Sequence, residues 1–141
     1  MLLTSGQKQR PRLAQQIYRF MLDQEPLLGA ATITVHHRRL TAEGVVGWQQ
    51  QEDDLEFLVE VDRDLPRSEY VVTLIHELIH CRQTLEGLMD DAQREQEAYS
   101  LETVYAARFA AARSLTILSK QQTPCSSPTT SPPTTLPARK R

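Results

Sequence analysis

The chain has 141 residues, 40% of them hydrophobic, which is enough for one core and too little for two domains of ordinary size. Its formal charge is −2, yet residues 1–120 carry 13 Lys and Arg against 18 Asp and Glu, while the last 21 residues carry three basic side chains and no acidic one. An acidic main part excludes nucleic acid as its expected partner, and Arg139, Lys140 and Arg141 alone offer an anionic surface only weak, salt-sensitive attraction.

Taken in chain order, Leu13, Ile17, Phe20 and Met21 recur at helical spacing and predict a first helix over about residues 7–22, ended by Pro26 and Gly29. Three short strands follow: alternating Thr32 to His36, β-rich Val45 to Trp48, and Leu55 to Val61, where apolar residues alternate with acidic ones. Gly44 and the acidic trio Glu52, Asp53 and Asp54 supply turns between them, so a small meander is the economical arrangement. Around the first of these strands, His36, His37, Arg38 and Arg39 read as a strand end with one ring toward solvent and the Arg pair hydrated, in preference to an additional metal or phosphate site, and Trp48 reads as a core anchor.

Residues 69–86 contain neither Pro nor Gly, and Tyr70, Val71, Leu74, Ile75, Leu78, Ile79 and Leu85 follow helical spacing. Pro66, Ser68 as N-cap and Glu69 in the first turn mark its start, and Gly87 its left-handed stop. A last helix is predicted over residues 91–119, with Ala98, Leu101, Val104, Tyr105, Phe109 and Leu115 on its buried side. Residues 121–141 hold five Pro with many Ser and Thr, too few large apolar groups to offset ordering entropy, and are expected to form a disordered tail.

The expected fold is therefore α+β: an N-terminal helix, a small three-stranded, mostly antiparallel sheet, a second helix and a long C-terminal helix, in one domain over residues 1–120. No basic leader precedes a long apolar stretch, so neither signal peptide nor membrane span is expected. Cys81 in a core helix and Cys125 in the tail make an unsuitable disulfide pair, which points to a reducing, cytoplasmic setting, with Cys81 a small core residue. Nothing in the sequence sets an oligomeric state.

The chemistry concentrates in His76-Glu77-Leu78-Ile79-His80, an H-E-x-x-H pattern. On a helix the two imidazoles lie about 40° apart in rotation and about 6 Å in rise, so both lean toward one metal ion. Glu77, about 100° round from His76, can face the open coordination position without ligating, which is where a general base belongs. Catalytic zinc takes three protein ligands, and no histidine follows His80, so a downstream carboxylate is required. Asp90, Asp91, Glu95, Glu97 and Glu102 are the nearby choices.

In these residues the chain resembles the zincin metallopeptidases, and within them small members of the gluzincin branch, over roughly residues 55–101. In that branch a Glu on the next helix is the third ligand, often in a Glu-x-x-Ala phrase, and Glu95-Gln96-Glu97-Ala98 fits with Glu95 as ligand. Counting rise along strictly antiparallel helices favours Glu97 instead, so Glu95 stands first and Glu97 as the alternative. Two departures are Tyr99, where the branch usually has an acidic or amide residue, and Arg82, where zincins usually have an apolar one.

The resemblance implies one Zn²⁺ per chain on His76, His80 and Glu95, with Glu77 as general base for a zinc-activated water that hydrolyses peptide bonds. Tyr99, Tyr105 and His36 are the candidates for stabilising an oxyanion. An extended peptide or unfolded protein segment would be the substrate, lying along an exposed sheet edge, for which the strand at residues 55–61 is the candidate. Two other readings remain open: a zinc-binding regulator of one intracellular partner, and a metal-free helical interaction module.

Overall fold

The computed structural model describes residues 1–122, so most of the Pro-rich segment expected to be disordered, and Cys125 with it, lies outside the described residues. The elements in chain order are β1 (Leu2–Gly6), α1 (Pro11–Gln24), a 3-10 turn (Pro26–Ala30), β2 (Thr32–Arg38), a second 3-10 turn (Thr41–Glu43), β3 (Gly47–Asp53), β4 (Glu56–Asp62), α2 (Arg67–Glu86) and α3 (Asp91–Gln122). Among the described residues the fold is α+β, with three α-helices and one four-stranded mixed sheet ordered β1-β2-β4-β3.

That sheet corrects the expected three-stranded, mostly antiparallel meander. β1 pairs parallel with β2, β2 parallel with β4, and only β3 with β4 is antiparallel. The cause lies in the strands' side chains. In β4, Phe57, Val59 and Val61 are buried and Glu60 is neutralised by two hydrogen bonds from Arg38, so this strand takes a central place. The Gln- and acid-rich β3 is mostly exposed and takes an edge, where unpaired backbone groups can meet water. β1 escapes the sequence reading because it is five residues long and ends in Ser5 and Gly6, yet Leu2 is buried while Leu3 is half exposed.

Alternation along β2 buries Ile33, Val35 and His37 on one face. Against them pack Leu13, Ala14, Ile17 and Met21 of α1 and Leu74, Ile75, Leu78 and Ile79 of α2, making one core. At about 25 cal/mol per Å² of apolar surface, this burial is the main favourable contribution to folding. Cys81 sits in it with no exposure, and burial pushes its thiol up, leaving an inert core residue. Trp48, by contrast, is only half-buried and does not belong to the core.

α2 begins one residue before Ser68, directly after Pro66, without a side-chain cap. Its end is as expected: Gly87 adopts φ 83°, its N–H bonds to the Thr84 carbonyl, and Leu88 N–H reaches back to Gln83. On α3, Ala98, Tyr105 and Phe109 are buried, whereas Val104 and Leu115 are exposed. Phe20 meets Tyr105 and Phe109 edge-on, at centroid distances of 6.5 and 5.5 Å. By compactness, Met1–Phe109 is one unit; of the second, the described residues 110–122 are helical and leave Leu115, Ile117 and Leu118 exposed. Among the described residues no helix is long and apolar enough to cross a membrane.

Candidate metal centre

His76, Glu77 and His80 stand on the middle turns of α2, and Glu95 on the first turns of α3. Glu95 Oε1 lies 2.7 Å from His80 Nε2, Glu95 Oε2 3.7 Å from His76 Nε2, and the two Nε2 atoms are 3.0 Å apart. Around a tetrahedral zinc with bonds near 2.0–2.2 Å, donor atoms stand about 3.3 Å from one another. One donor atom from each of the three residues lies within 4.8 Å of the others, so the group could hold a metal ion.

The far side of each ring decides what the near side offers. His76 Nδ1 is 2.7 Å from Glu102 Oε2, a carboxylate oxygen that can only accept, so the ring donates there. His80 Nδ1 is 2.8 Å from Gln83 Oε1. The amide of Gln83 cannot be turned round, because its Nε2 already faces two acceptors, the Arg94 carbonyl at 2.9 Å and Glu97 Oε1 at 2.8 Å. Both Nδ1 atoms thus carry their protons in the neutral rings, and two bare Nε2 lone pairs confront each other and a carboxylate. A metal ion, or a proton on one Nε2 donated to Glu95, relieves that confrontation. Burial holds the His80 pKa below its ordinary value, favouring the neutral ring.

Glu97 is engaged elsewhere. Besides Gln83, its Oε1 meets Arg82 at 3.1 Å, and Arg82 also faces Glu25 at 3.1 Å and Glu86 at 3.0 Å. Arg82, the departure noted in the sequence, is a buried cation neutralised by three carboxylates from three segments. Asp91 and Tyr99 line the cleft without joining the three donors. Among the described residues, His76, His80 and Glu95 are the group able to hold a metal ion.

A cleft of about 850 Å³ opens over these donors, lined by residues 44–49 of β3 and its approach, by Glu77, and by Arg94, Tyr99 and Glu102. Trp48, expected in the core, is part of that lining. Gly47 lets the edge strand come this close: a Cβ there would stand 2.6 Å from Thr73 Cγ2 and 3.5 Å from Glu77 Cγ. Glu77 is buried at 6% exposure, and desolvation, with Glu95 and Glu102 adding negative charge, pushes its carboxyl up to about 8.

Of the three oxyanion candidates only Tyr99 lines the cleft, its ring 4.9 Å from that of His76. Tyr105 instead donates to Glu25 at 2.5 Å, and His36 pairs with Ser5 at 2.8 Å across β1 and β2. The free sheet edge beside the cleft is β3, because β4, the strand named for that role, is enclosed by β2 and β3. Glu102 and Gln83 were missed as partners of the histidines. A signal for Glu102 exists: Glu95, Ala98, Glu102, Tyr105 and Phe109 recur at alternating three- and four-residue steps, one stripe of α3. No protein-family model, curated protein or solved structure matches the chain, so the reading of the site stands on its own geometry.

Proposed function

We propose that this chain is a minimal zinc-dependent metallopeptidase of zincin-like, gluzincin-type organisation, with His76, His80 and Glu95 holding the metal. The observation carrying this reading is the convergence of three bare donor atoms, all within 4.8 Å of one another, in a cleft that Glu77 also lines. Zinc bound there would supply Lewis acidity, lowering the pKa of a water toward about 7 and polarising a carbonyl oxygen.

The chain's own groups do the rest. Glu77 takes the proton of the attacking water and returns it to the leaving amine; burial raises its carboxyl to about 8 in the metal-free chain, and a cation bound beside it would lower it toward neutrality, where both transfers are favourable. Tyr99, at 60% exposure, is the hydroxyl available to the developing oxyanion. An extended peptide adds to β3 through backbone hydrogen bonds, which restricts substrates to flexible or unfolded segments. The free, buried thiol of Cys81 suits a reducing, cytoplasmic setting.

Glu77→Gln tests the reading against unfolded, fluorescently labelled protein as substrate. Loss of hydrolysis with zinc retained supports the general base; unchanged hydrolysis, or none by the wild-type chain loaded with zinc, overturns it.

A further inference from the structure

Gln83 and Glu97 have no part in the reaction as proposed, yet they lie behind one of the metal donors. Gln83 is fully buried, three residues after His80 on α2, and its side chain has one acceptor and two donor positions. All are used: Oε1 faces His80 Nδ1, and Nε2 faces the Arg94 carbonyl and Glu97. Glu97 in turn is anchored by Arg82, itself only 4% exposed and tied to Glu25 and Glu86. The network therefore runs from the end of α1 through α2 and α3 to a single ring nitrogen.

We propose that Gln83 is a positioning residue that fixes His80 in its Nδ1–H tautomer, with Glu97 and the Arg94 carbonyl fixing the amide. The inference rests on the zinc reading of the site, but its first consequence concerns the metal-free chain. An imidazole with an acceptor at Nδ1 keeps its proton there and presents Nε2 as a lone pair. Without that acceptor the proton moves to Nε2, where Glu95 Oε1 waits 2.7 Å away, and occupies the ligating position. Glu97, read from sequence as a possible ligand, thus acts two bonds removed from the metal.

The test compares Gln83→Met, close in shape but without an acceptor, with a double variant, Gln83→Glu with Glu97→Gln, which keeps an acceptor toward His80 and a donor between positions 83 and 97. The ¹⁵N shifts of His80 are read in chelator-treated protein at pH 8, and zinc affinity is read by competition with a chromogenic chelator. The expected result is an Nδ1–H ring in the wild type and the double variant, an Nε2–H or mixed ring in Gln83→Met, and zinc binding about 10- to 100-fold weaker in Gln83→Met alone. An unchanged tautomer in Gln83→Met overturns the proposal. So does a changed one in the double variant when its circular dichroism matches the wild type; should the double variant not fold, the tautomer of Gln83→Met decides. A wild-type chain that binds no zinc while the tautomers follow this pattern sinks the metallopeptidase reading and leaves the role of Gln83 standing.

Discussion

Glu95 and Glu97 are neighbours but one on α3, and their carboxylates face different partners: Glu95 reaches His80 Nε2 at 2.7 Å, and Glu97 reaches Gln83 Nε2 at 2.8 Å. In the proposed site Glu95→Gln replaces a charged donor and is expected to weaken zinc binding beyond the roughly 10- to 100-fold that outer partners contribute. Glu97→Gln, one bond further out, should cost less than about tenfold. Zinc competition titrations on both variants check the order, and a larger loss for Glu97→Gln would reverse the assignment.

Glu102 holds His76 as Gln83 holds His80, but through a charged acceptor. Glu102→Ala should therefore weaken zinc binding by about 10- to 100-fold while leaving the thermal midpoint of the metal-free chain within a few degrees. Equal affinity in variant and wild type would mean that His76 needs no orienting partner.

The reading of the sequence reached the elements better than their order. Helical spacing around Leu74, Leu78 and Gly87 located α2 because periodicity and a left-handed stop are local properties. The order β1-β2-β4-β3 is decided by which strand buries both faces, a competition among segments that no single segment displays. In the site, the H-E-x-x-H spacing was legible for the same local reason. Counting rise along antiparallel helices favours Glu97, whereas the carboxylate grouped with His76 and His80 is that of Glu95, on the stripe of α3 through Ala98, Tyr105 and Phe109, and that of Glu97 meets Gln83 and Arg82.

Gly47 is required by space, not by backbone conformation. Gly47→Ala drives a methyl group into Thr73 Cγ2 and should destabilise the chain by about 1–3 kcal/mol. Thr73→Ser removes the opposing methyl group, so the double variant should recover most of the loss in a urea denaturation series. No recovery would place the strain elsewhere.

His37 is buried, donates from Nδ1 to the Ser5 carbonyl at 3.0 Å and accepts at Nε2 from the Tyr70 hydroxyl at 2.8 Å. Burial is the main cause lowering its pKa below 6.5, with nearby His36 and Arg10 acting in the same direction. The unfolded chain thus binds this proton more readily than the folded one. Stability from the neutral ring is complete above about pH 6.5 and is lost as pH falls below it, at up to about 1.4 kcal/mol per pH unit. In chelator-treated protein, His37→Gln should flatten the stability profile between pH 6.5 and 5 relative to wild type, as read by urea unfolding; parallel profiles would contradict the assignment.

The central claim is that three donors on α2 and α3 share one cation, and metal analysis of the full chain, purified without affinity tag or chelator, tests it most directly. The account predicts about one zinc per chain, lost in a His76→Ala, His80→Ala double variant that keeps its helical circular dichroism. A wild-type chain that carries no zinc and takes none up at micromolar concentration would contradict it.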